Sequence, residues 1–359
     1  MTKKTLGVLF GGQSAEHEVS CMSVQNVVNC IDTDKYEIIL IGITKEGRWL
    51  KVDSPEDIIT GKWTQGTIGA IISPDATEKC LILDDGKNIT KKKLDAVFPV
   101  IHGGTGEDGK LQGLLELAGI PYVGCGVLSS AVTMDKYFTK IIVDKLGGIR
   151  QADYVLILTR KLGRKMEEYC DQVEKKFRYP VFVKPCNGGS SCGVSRADNR
   201  AELKAGILEA AKFDSKILVE EFIEGREIEC AVLGRGDEVY ATGIGEIISA
   251  AAFYDYDAKY NNPDSQTLLN PQMEEDIIAA IRDASVQIFK AVEGAGLSRV
   301  DFRVQPDGTV VFNEINTMPG FTNISMYPML WEAKGLSKKE LVQKLIDLAD
   351  TDMNSIGKL

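Results

Sequence analysis

The chain has 359 residues, a hydrophobic fraction of 44%, a charged fraction of 26% and a formal net charge of −10. This composition is typical of a globular protein of two or three packed domains, and its acidic balance disfavours nucleic acid or a membrane as the main partner. No apolar run approaches the ~18 residues of a membrane span, and the eight scattered cysteines favour reduced thiols, a cytoplasmic location and no zinc site.

Strands and helices alternate through the first third of the chain. "TLGVLFGG", "YEIILIGIT" and "LDAVFPVIHGG" predict buried strands, whereas "SVQNVVNCID" and "GKLQGLLELAG" predict helices. This alternation predicts a first domain, residues 1–126, built on an open parallel sheet that binds ligands at the carboxyl ends of its strands. The residues at such ends are Gly11, Gly12, His102, Gly103 and Gly104.

The pattern changes from about residue 127. "VLSSAVTMDKYFTKIIVDKLG" predicts one long helix, and "YPVFVKP" predicts a strand that runs into the loop "CNGGSSCGVS", within a second domain of residues 127–215. A third domain, residues 216–359, is expected to be mainly antiparallel, with strands at "KILVEEFI", "REIECAVLG" and "VYATGIGEII". A helix follows Pro271, a hairpin turns at Pro306–Gly308, and a closing helix begins at a Ser337 cap.

The hairpin "SRVDFRV–QPDG–TVVFNEI" carries the first chemical signal. Strand side chains alternate between faces, so Glu314 and Asn316 point the same way, as do Arg299 and Asp301 on the partner strand. Asp301, Glu314 and Asn316 offer oxygen donors, which suit Mg²⁺ better than zinc. A solvated polar face is the alternative interpretation. The apolar residues expected to face the core are Phe302, Val304, Val311 and Phe312.

The glycine–serine loop at residues 187–193 is a candidate phosphate cradle. Its backbone can approach a phosphate closely, and Ser190 and Ser191 add hydroxyl donors. Taken alone, the loop is equally compatible with a plain hairpin turn. Lys136 and Lys184 could likewise be ordinary surface lysines.

Taken together and in this order, the motifs resemble the D-alanine–D-alanine ligase family of the ATP-grasp superfamily. The resemblance covers nearly the whole chain and rests on "GGQSAEHEVS", "HGGTGEDG", "MDKYFTK", "VKPCNGGSSCGVS", "VEEFIEGREIECAVLG", "FYDYDAKY" and "SRVDF…NEINTMPGFTNIS". It implies an ATP-grasp fold, α/β with an α+β C-terminal part, and ATP-dependent joining of two D-alanines through D-alanyl phosphate for peptidoglycan synthesis. It also implies two Mg²⁺ ions, for which Mn²⁺ can substitute, and a homodimer.

Three alternatives to this function stay open at this point. The first is a D-alanine–D-serine ligase of the vancomycin-resistance type. The second is an ATP-grasp carboxylate–amine ligase for a different acid, which the "SAEHEVS" and "AKY" motifs disfavour. The third is a nucleotide-binding module without catalysis, which would be expected to lack Arg299, Lys184 or a metal ligand.

The resemblance also implies roles for individual residues. Glu16 would bind the ammonium of the first D-alanine, in a hydrogen-bonded triad with Ser190 and Tyr260. His102 would lie near the first carboxylate, while Arg299 and the Gly320 N–H would face the tetrahedral intermediate. The metal ligands would be Asp301, Glu314 and Asn316. The residues implied for ATP are Lys136, Lys184, Glu220, Phe222, Ile223, Glu227 and Lys259.

The resemblance also implies how the second substrate is bound, and the sequence predicts a lid over the site. Ser325 and the backbone of Met326 would hold the second carboxylate, and Tyr260 disfavours D-lactate. An apolar Met326 side chain offers a serine hydroxyl no partner, so a preference for D-alanine over D-serine is predicted. Residues 249–269 are predicted to form a lid, because a waiting acyl phosphate must be kept from water.

Overall fold

The N-terminal part is a sheet flanked by helices in the computed structural model, which describes residues 2–248 and 266–356, without the side chains of residues 350–356. Its first elements are β1 (Lys4–Gly11), α1 (His17–Cys30), β2 (Tyr36–Ile43), β3 (Trp49–Val52) and α2 (Pro55–Ile59). They are followed by β4 (Gly69–Ile72), β5 (Cys80–Asp84), β6 (Ile89–Lys93), β7 (Ala96–Val100), α3 (Gly104–Glu107) and α4 (Lys110–Leu117).

The strand order in this sheet is β6-β5-β4-β3-β2-β1-β7. The parallel arrangement predicted for β1, β2 and β7 is confirmed, whereas β3 to β6 form antiparallel pairs that the sequence analysis did not predict. Strand β1, the middle one of the three parallel strands, is buried from residue 6 onward, as expected for a strand that is covered on both faces. The parallel core brings the loops after β1 and β7 to one edge of the sheet.

The middle of the chain forms a smaller antiparallel sheet with the order β11-β10-β12-β9. The elements of this region are, in chain order, α5 (Val127–Met134), α6 (Lys136–Leu146), β8 (Arg150–Gln151), β9 (Tyr154–Leu158), α7 (Leu162–Lys176), β10 (Val181–Pro185), β11 (Ser195–Ala197), α8 (Arg200–Ala210) and β12 (Lys216–Glu221). Of these strands, β8 belongs to the six-stranded sheet described below. The boundary predicted after residue 215 would place β12 in the third domain, but β12 pairs with β9 and β10 of the four-stranded sheet. The four-stranded sheet therefore extends to Glu221.

The prediction of one long helix after residue 127 is wrong. The chain leaves helical geometry at Asp135, where φ is −90° and ψ is 98°, and a new helix starts at Lys136. The Asp135 carboxylate accepts hydrogen bonds from the N–H groups of Tyr137 and Phe138, which caps α6. The break has a consequence for the site, because it places Lys136 at the first position of a helix instead of in the middle of one.

The C-terminal part is a second sheet, which is mainly antiparallel. It contains β13 (Arg226–Arg235), β14 (Glu238–Ile248), β15 (Gln266–Leu269), α9 (Glu275–Ala291), β16 (Ala295–Val304), β17 (Val310–Asn316), α10 (Met326–Ala333) and α11 (Lys338–Ile356). The strand order is β15-β14-β13-β16-β17-β8, antiparallel except for the parallel pair of β8 and β17. The predicted hairpin and the helix after Pro271 are confirmed, as is the Ser337 cap, whose hydroxyl accepts from the Glu340 N–H at 3.3 Å.

Part of the predicted lid, residues 266–269, is strand β15, paired with β14. The remainder of that segment, with Lys259 and Tyr260, lies outside the described residues. Over the ranges that the structure covers, no helix combines the length and apolar composition needed to cross a bilayer.

Candidate active site

A cleft of about 500 Å³ lies between the four-stranded and the six-stranded sheets. It is lined by strand residues of both sheets and by the glycine–serine loop that follows β10. Most of the side chains that the sequence analysis singled out line this one cavity. They are Lys136, Lys184, Ser190, Glu220, Phe222, Ile223, Glu227, Arg299, Asp301 and Glu314.

The β16–β17 hairpin forms one wall of the cleft. Asp301 lies opposite Glu314 and Arg299 lies opposite Asn316, so the four side chains lie close together, as expected. A register shift between Asp301 and Phe302 inserts an extra residue in β17, so alternation is not kept along the whole hairpin. Phe302, Val304 and Phe312 belong to the core cluster, as expected, and Phe312 also lines the cleft. Val311 is buried but lies outside that cluster, and it lines the cleft opposite Arg303.

Arg299 and its carboxylates are buried at the base of this wall. The guanidinium donates two hydrogen bonds to Asp301, at 2.8 and 2.7 Å, and its Nε lies 3.1 Å from Glu229 Oε2. Burial raises the pKa of Asp301 to about 7, with the charges of Glu229 and Glu314 adding to the effect against the opposing pull of Arg299. The sequence analysis missed Glu229, although its spacing of two from Glu227 on β13 places it on the same face, opposite Asp301.

The predicted metal ligands offer oxygen donors of the kind that Mg²⁺ prefers. Asn316 donates its amide N–H to Asp301 at 3.0 Å, and Lys136 lies 3.3 Å from Glu314. Among the described residues, no group of three His, Cys, Asp or Glu side chains is arranged to hold a metal. The residues still fit Mg²⁺ chemically, because a divalent cation would offset the burial of these carboxylates once the Asn316 amide turned its oxygen inward.

Two lysines face the carboxylates from the opposite side. Lys136 Nζ donates to the Gly188 carbonyl at 2.8 Å, which ties helix α6 to the glycine–serine loop. Lys184, at the end of β10, lies 2.6 Å from Glu220 Oε2, and burial lowers its pKa. The side wall is aromatic, since the Phe222 ring stacks on Phe182 at 5.8 Å between centroids. The cleft therefore combines lysine ammonium groups, paired with carboxylates, and an apolar wall, which suits a ligand that carries both anionic groups and a flat ring.

The glycine–serine loop reaches the N-terminal sheet. Ser190 Oγ donates to Glu16 Oε1 at 2.7 Å, as predicted for two members of the triad. Ser190 and Ser191 both have left-handed backbone angles, φ 50° and 56°, so successive N–H groups can form an anion-binding concavity. Gly103 must lack a side chain, because a Cβ there would overlap the Glu16 carboxylate. Three separate segments of the chain therefore converge on Glu16.

Gly320 and Ser325 lie together beyond the hairpin. A Cβ on Gly320 would be 2.8 Å from Ser325 Oγ, and that hydroxyl accepts from the Thr322 N–H at 2.9 Å. Met326 begins helix α10, but its side chain is 3% exposed and packs over Gly245. The sequence analysis expected this side chain to line the second pocket, and the structure instead places it in the core.

His102 and Glu107 connect the N-terminal sheet to this region. His102 is buried outside the cleft; its Nδ1 lies 2.8 Å from the Met318 carbonyl, and its Nε2 lies 2.9 Å from Ser23 Oγ. Glu107, which the sequence analysis missed, accepts hydrogen bonds from the N–H groups of Gly103 (2.7 Å) and Met318 (2.9 Å). Burial, followed by the nearby charge of Glu16, raises the pKa of Glu107 to about 7.

Both the N-terminal and the C-terminal part of the chain match models of the same protein family. Residues 5–125 match the family model "D-ala D-ala ligase N-terminus", and residues 143–347 match "D-ala D-ala ligase C-terminus". A D-alanine–D-alanine ligase of Acetivibrio thermocellus is 51% identical, over 97% of this chain and 96% of its own length.

Two solved structures are also similar to this chain. The VanG D-Ala:D-Ser ligase from Enterococcus faecalis superposes with a TM-score of 0.87 at 38% identity, covering 97% of this chain and 100% of its own. The D-alanine–D-alanine ligase from Coxiella burnetii superposes with a TM-score of 0.83 at 37% identity, covering 99% and 98%.

Proposed function

The chain belongs to the D-alanine–D-alanine ligase family, and on that basis we propose that it joins two D-alanines with ATP to supply the dipeptide for peptidoglycan synthesis. One observation carries the proposal: Lys136, Lys184, Arg299 and the hairpin carboxylates line a single cleft. The loop of that cleft also contacts Glu16, the residue expected to hold the first substrate. The amino-acid site and the phosphate site therefore adjoin.

The reaction needs an activated carboxyl group, because a carboxylate is a poor electrophile. The carboxylate of the first D-alanine attacks the γ-phosphorus of ATP, and ADP leaves with the bridging electron pair. The amine of the second D-alanine then attacks the carbonyl carbon of the acyl phosphate and releases a proton to solvent, and inorganic phosphate leaves as the amide forms. Each turnover thus consumes one ATP and releases ADP, phosphate and one dipeptide.

The residues of the chain contribute charge and position. Lys136 and Lys184 would hold the phosphates, and Glu16 would hold the first ammonium. Arg299 and the Gly320 N–H would stabilise the oxyanion of the tetrahedral intermediate, at about 3 kcal/mol for each donor. Mg²⁺ on Asp301, Glu314 and Asn316 would neutralise phosphoryl charge, and we propose two ions, with Mn²⁺ able to replace them. For the second carboxylate, Ser325 and the Met326 N–H are proposed.

Replacing Ser190 by alanine tests the first-substrate site. The variant loses the hydrogen bond to Glu16, and bonds to charged groups contribute about 1.5–3 kcal/mol. We therefore expect kcat/KM for D-alanine at the first site to fall at least tenfold, about 1.4 kcal/mol, with a smaller change in KM for ATP. Steady-state kinetics with each substrate varied in turn measures both constants. The control is Cys192→Ala on the same loop, and equal effects of the two variants would refute the assignment.

D-serine is the alternative second substrate, because the VanG D-Ala:D-Ser ligase is structurally similar. D-alanine is favoured since the more similar relative, at 51% identity, is a D-alanine–D-alanine ligase. The buried Met326 side chain contributes no argument either way. We expect kcat/KM at the second site to be roughly tenfold to a hundredfold higher for D-alanine than for D-serine. Competition between the two amino acids, with the products separated by mass, measures the ratio, and a ratio at or below one would reverse this preference.

We also propose that the protein is cytoplasmic and forms a homodimer. All eight cysteines are free thiols, which supports a reducing, cytoplasmic compartment. A homodimer is proposed from the family resemblance, and light scattering of the purified protein tests it.

A further inference from the structure

A second buried lysine lies behind the wall of the ATP cleft. Lys140 is on α6, one turn after Lys136, and its side chain is 2% exposed. Its Nζ lies 3.0 Å from Glu220 Oε1, while Lys184 Nζ lies 2.6 Å from Glu220 Oε2. One buried carboxylate is therefore shared between two ammonium groups. Lys184 and Glu220 line the cleft, and Lys140 is not among the described residues that do so.

The contact between Lys140 and Glu220 is electrostatic in character. Glu220 Oε1 has no partner in hydrogen-bond geometry, although the Lys140 ammonium is only 3.0 Å away. Lys140 also donates to the Ala152 carbonyl at 3.1 Å and lies 5.6 Å from the centre of the Tyr154 ring. Neither of those partners is charged. The charge of Lys140 is therefore directed at Glu220.

The charges of the three groups do not cancel. Lys184 and Glu220 alone would form a neutral pair, with little net attraction for a triphosphate. With Lys140 the buried group carries one net positive charge, and burial makes that charge act strongly, because the local dielectric constant is low. Because carboxylates also line the cleft, an uncompensated positive charge beside Lys184 would strengthen the attraction for a polyanion.

We propose that Lys140 is a positioning residue for ATP, which competes for the Glu220 carboxylate and so leaves Lys184 with effective positive charge toward the phosphates. The inference rests on the proposed ATP-dependent function. A purely structural lysine would behave differently. Its loss would lower stability, but it would weaken adenosine and ATP binding alike, because both ligands need an intact pocket.

The test compares ATP with adenosine, which lacks the phosphates. In Lys140→Gln the amide can still donate to Ala152, but the charge is gone. We expect its Kd for ATP with Mg²⁺, measured by calorimetry, to rise at least tenfold, about 1.4 kcal/mol. The inhibition constant of adenosine should change less than about twofold, or 0.4 kcal/mol. Lys140→Arg should keep the wild-type ratio of the two affinities, as should the control Lys145→Gln on the exposed side of α6.

The same substitution in a Glu220→Gln variant tests the mechanism. With Glu220→Gln no carboxylate remains to neutralise Lys184, so adding Lys140→Gln should no longer change the ratio of ATP to adenosine affinity. An equal loss in both backgrounds would overturn the inference, as would unchanged ATP binding in Lys140→Gln. If Lys140→Gln does not fold, Lys140→Met replaces it, because methionine keeps an unbranched side chain without the charge, and the same outcomes support or overturn the inference. Failure of the wild-type chain to bind ATP would instead defeat the proposed function itself.

Discussion

Replacing Glu314 by glutamine is expected to lower kcat at least a hundredfold, about 2.7 kcal/mol of transition-state stabilisation. Glu314 lies opposite Asp301 in the hairpin and 3.3 Å from Lys136, at the point where the two walls of the cleft meet. A neutral amide there cannot hold a divalent cation as a carboxylate does. ATP should still bind through Lys184 and the aromatic wall. The measurements are steady-state kcat, ATP affinity and the Mg²⁺ concentration that gives half-maximal rate.

The matched control is Glu238→Gln, an exposed carboxylate on β14 of the same sheet, which should keep the wild-type rate and Mg²⁺ dependence. A Glu314→Gln enzyme with more than a tenth of the wild-type kcat, or with an unchanged Mg²⁺ requirement, would show that the metal assignment is wrong. Loss of ATP binding as severe as the loss of turnover would point to a damaged cleft.

Replacing Arg299 by methionine is expected to damage both stability and catalysis. The guanidinium is buried between Asp301 and Glu229, so its removal leaves two carboxylates without their cation. Breaking a buried pair in this way typically costs about 3–5 kcal/mol of unfolding free energy. In the proposed mechanism the oxyanion would also lose a donor, which corresponds to roughly a hundredfold to a thousandfold in kcat. Urea unfolding and kinetics at a temperature where the variant is folded measure the two effects separately.

Arg303 provides the comparison for the stability effect. It lies on the same strand and pairs with Glu227 at 2.9 Å, but its side chain is 39% exposed. Exposed ion pairs contribute about 0–1 kcal/mol, so Arg303→Met should lower the unfolding free energy by less than about 1 kcal/mol. Equal destabilisation by the two substitutions would contradict the buried cluster described for Arg299. An Arg299→Met enzyme with wild-type kcat would exclude an oxyanion role.

The hairpin shows how far the sequence could be used for prediction. Strand alternation and a Pro–Asp–Gly turn are local properties, so the hairpin and the shared face of Glu314 and Asn316 were predictable from spacing. The pairing of Asp301 with Glu314 depends in addition on the bulge. The bulge that turns Val311 toward the cleft is not visible in the apolar pattern, because Val311 and Phe312 are both buried. The break at Asp135 was missed for a related reason. A capping aspartate before a lysine-containing helix also fits inside a longer helix.

The residues that the sequence did not reveal act through contacts across long separations. Lys140 meets Glu220 across eighty residues, and Glu107 joins Gly103 to Met318 across the interface of two sheets. No local period encodes such contacts, since they exist only once the sheets are packed. Met326 illustrates the opposite error. Its position after Ser325 suggested a pocket residue, but the first turn of α10 directs its side chain over Gly245 into the core.

The most direct test of the proposed function is ADP release measured in a coupled assay, with and without D-alanine, together with identification of the product by mass. We expect that ADP release requires D-alanine and Mg²⁺, and that one D-alanyl-D-alanine forms for each ADP released. ADP release that is independent of D-alanine, or dependent on it without any dipeptide formed, would contradict the proposed function.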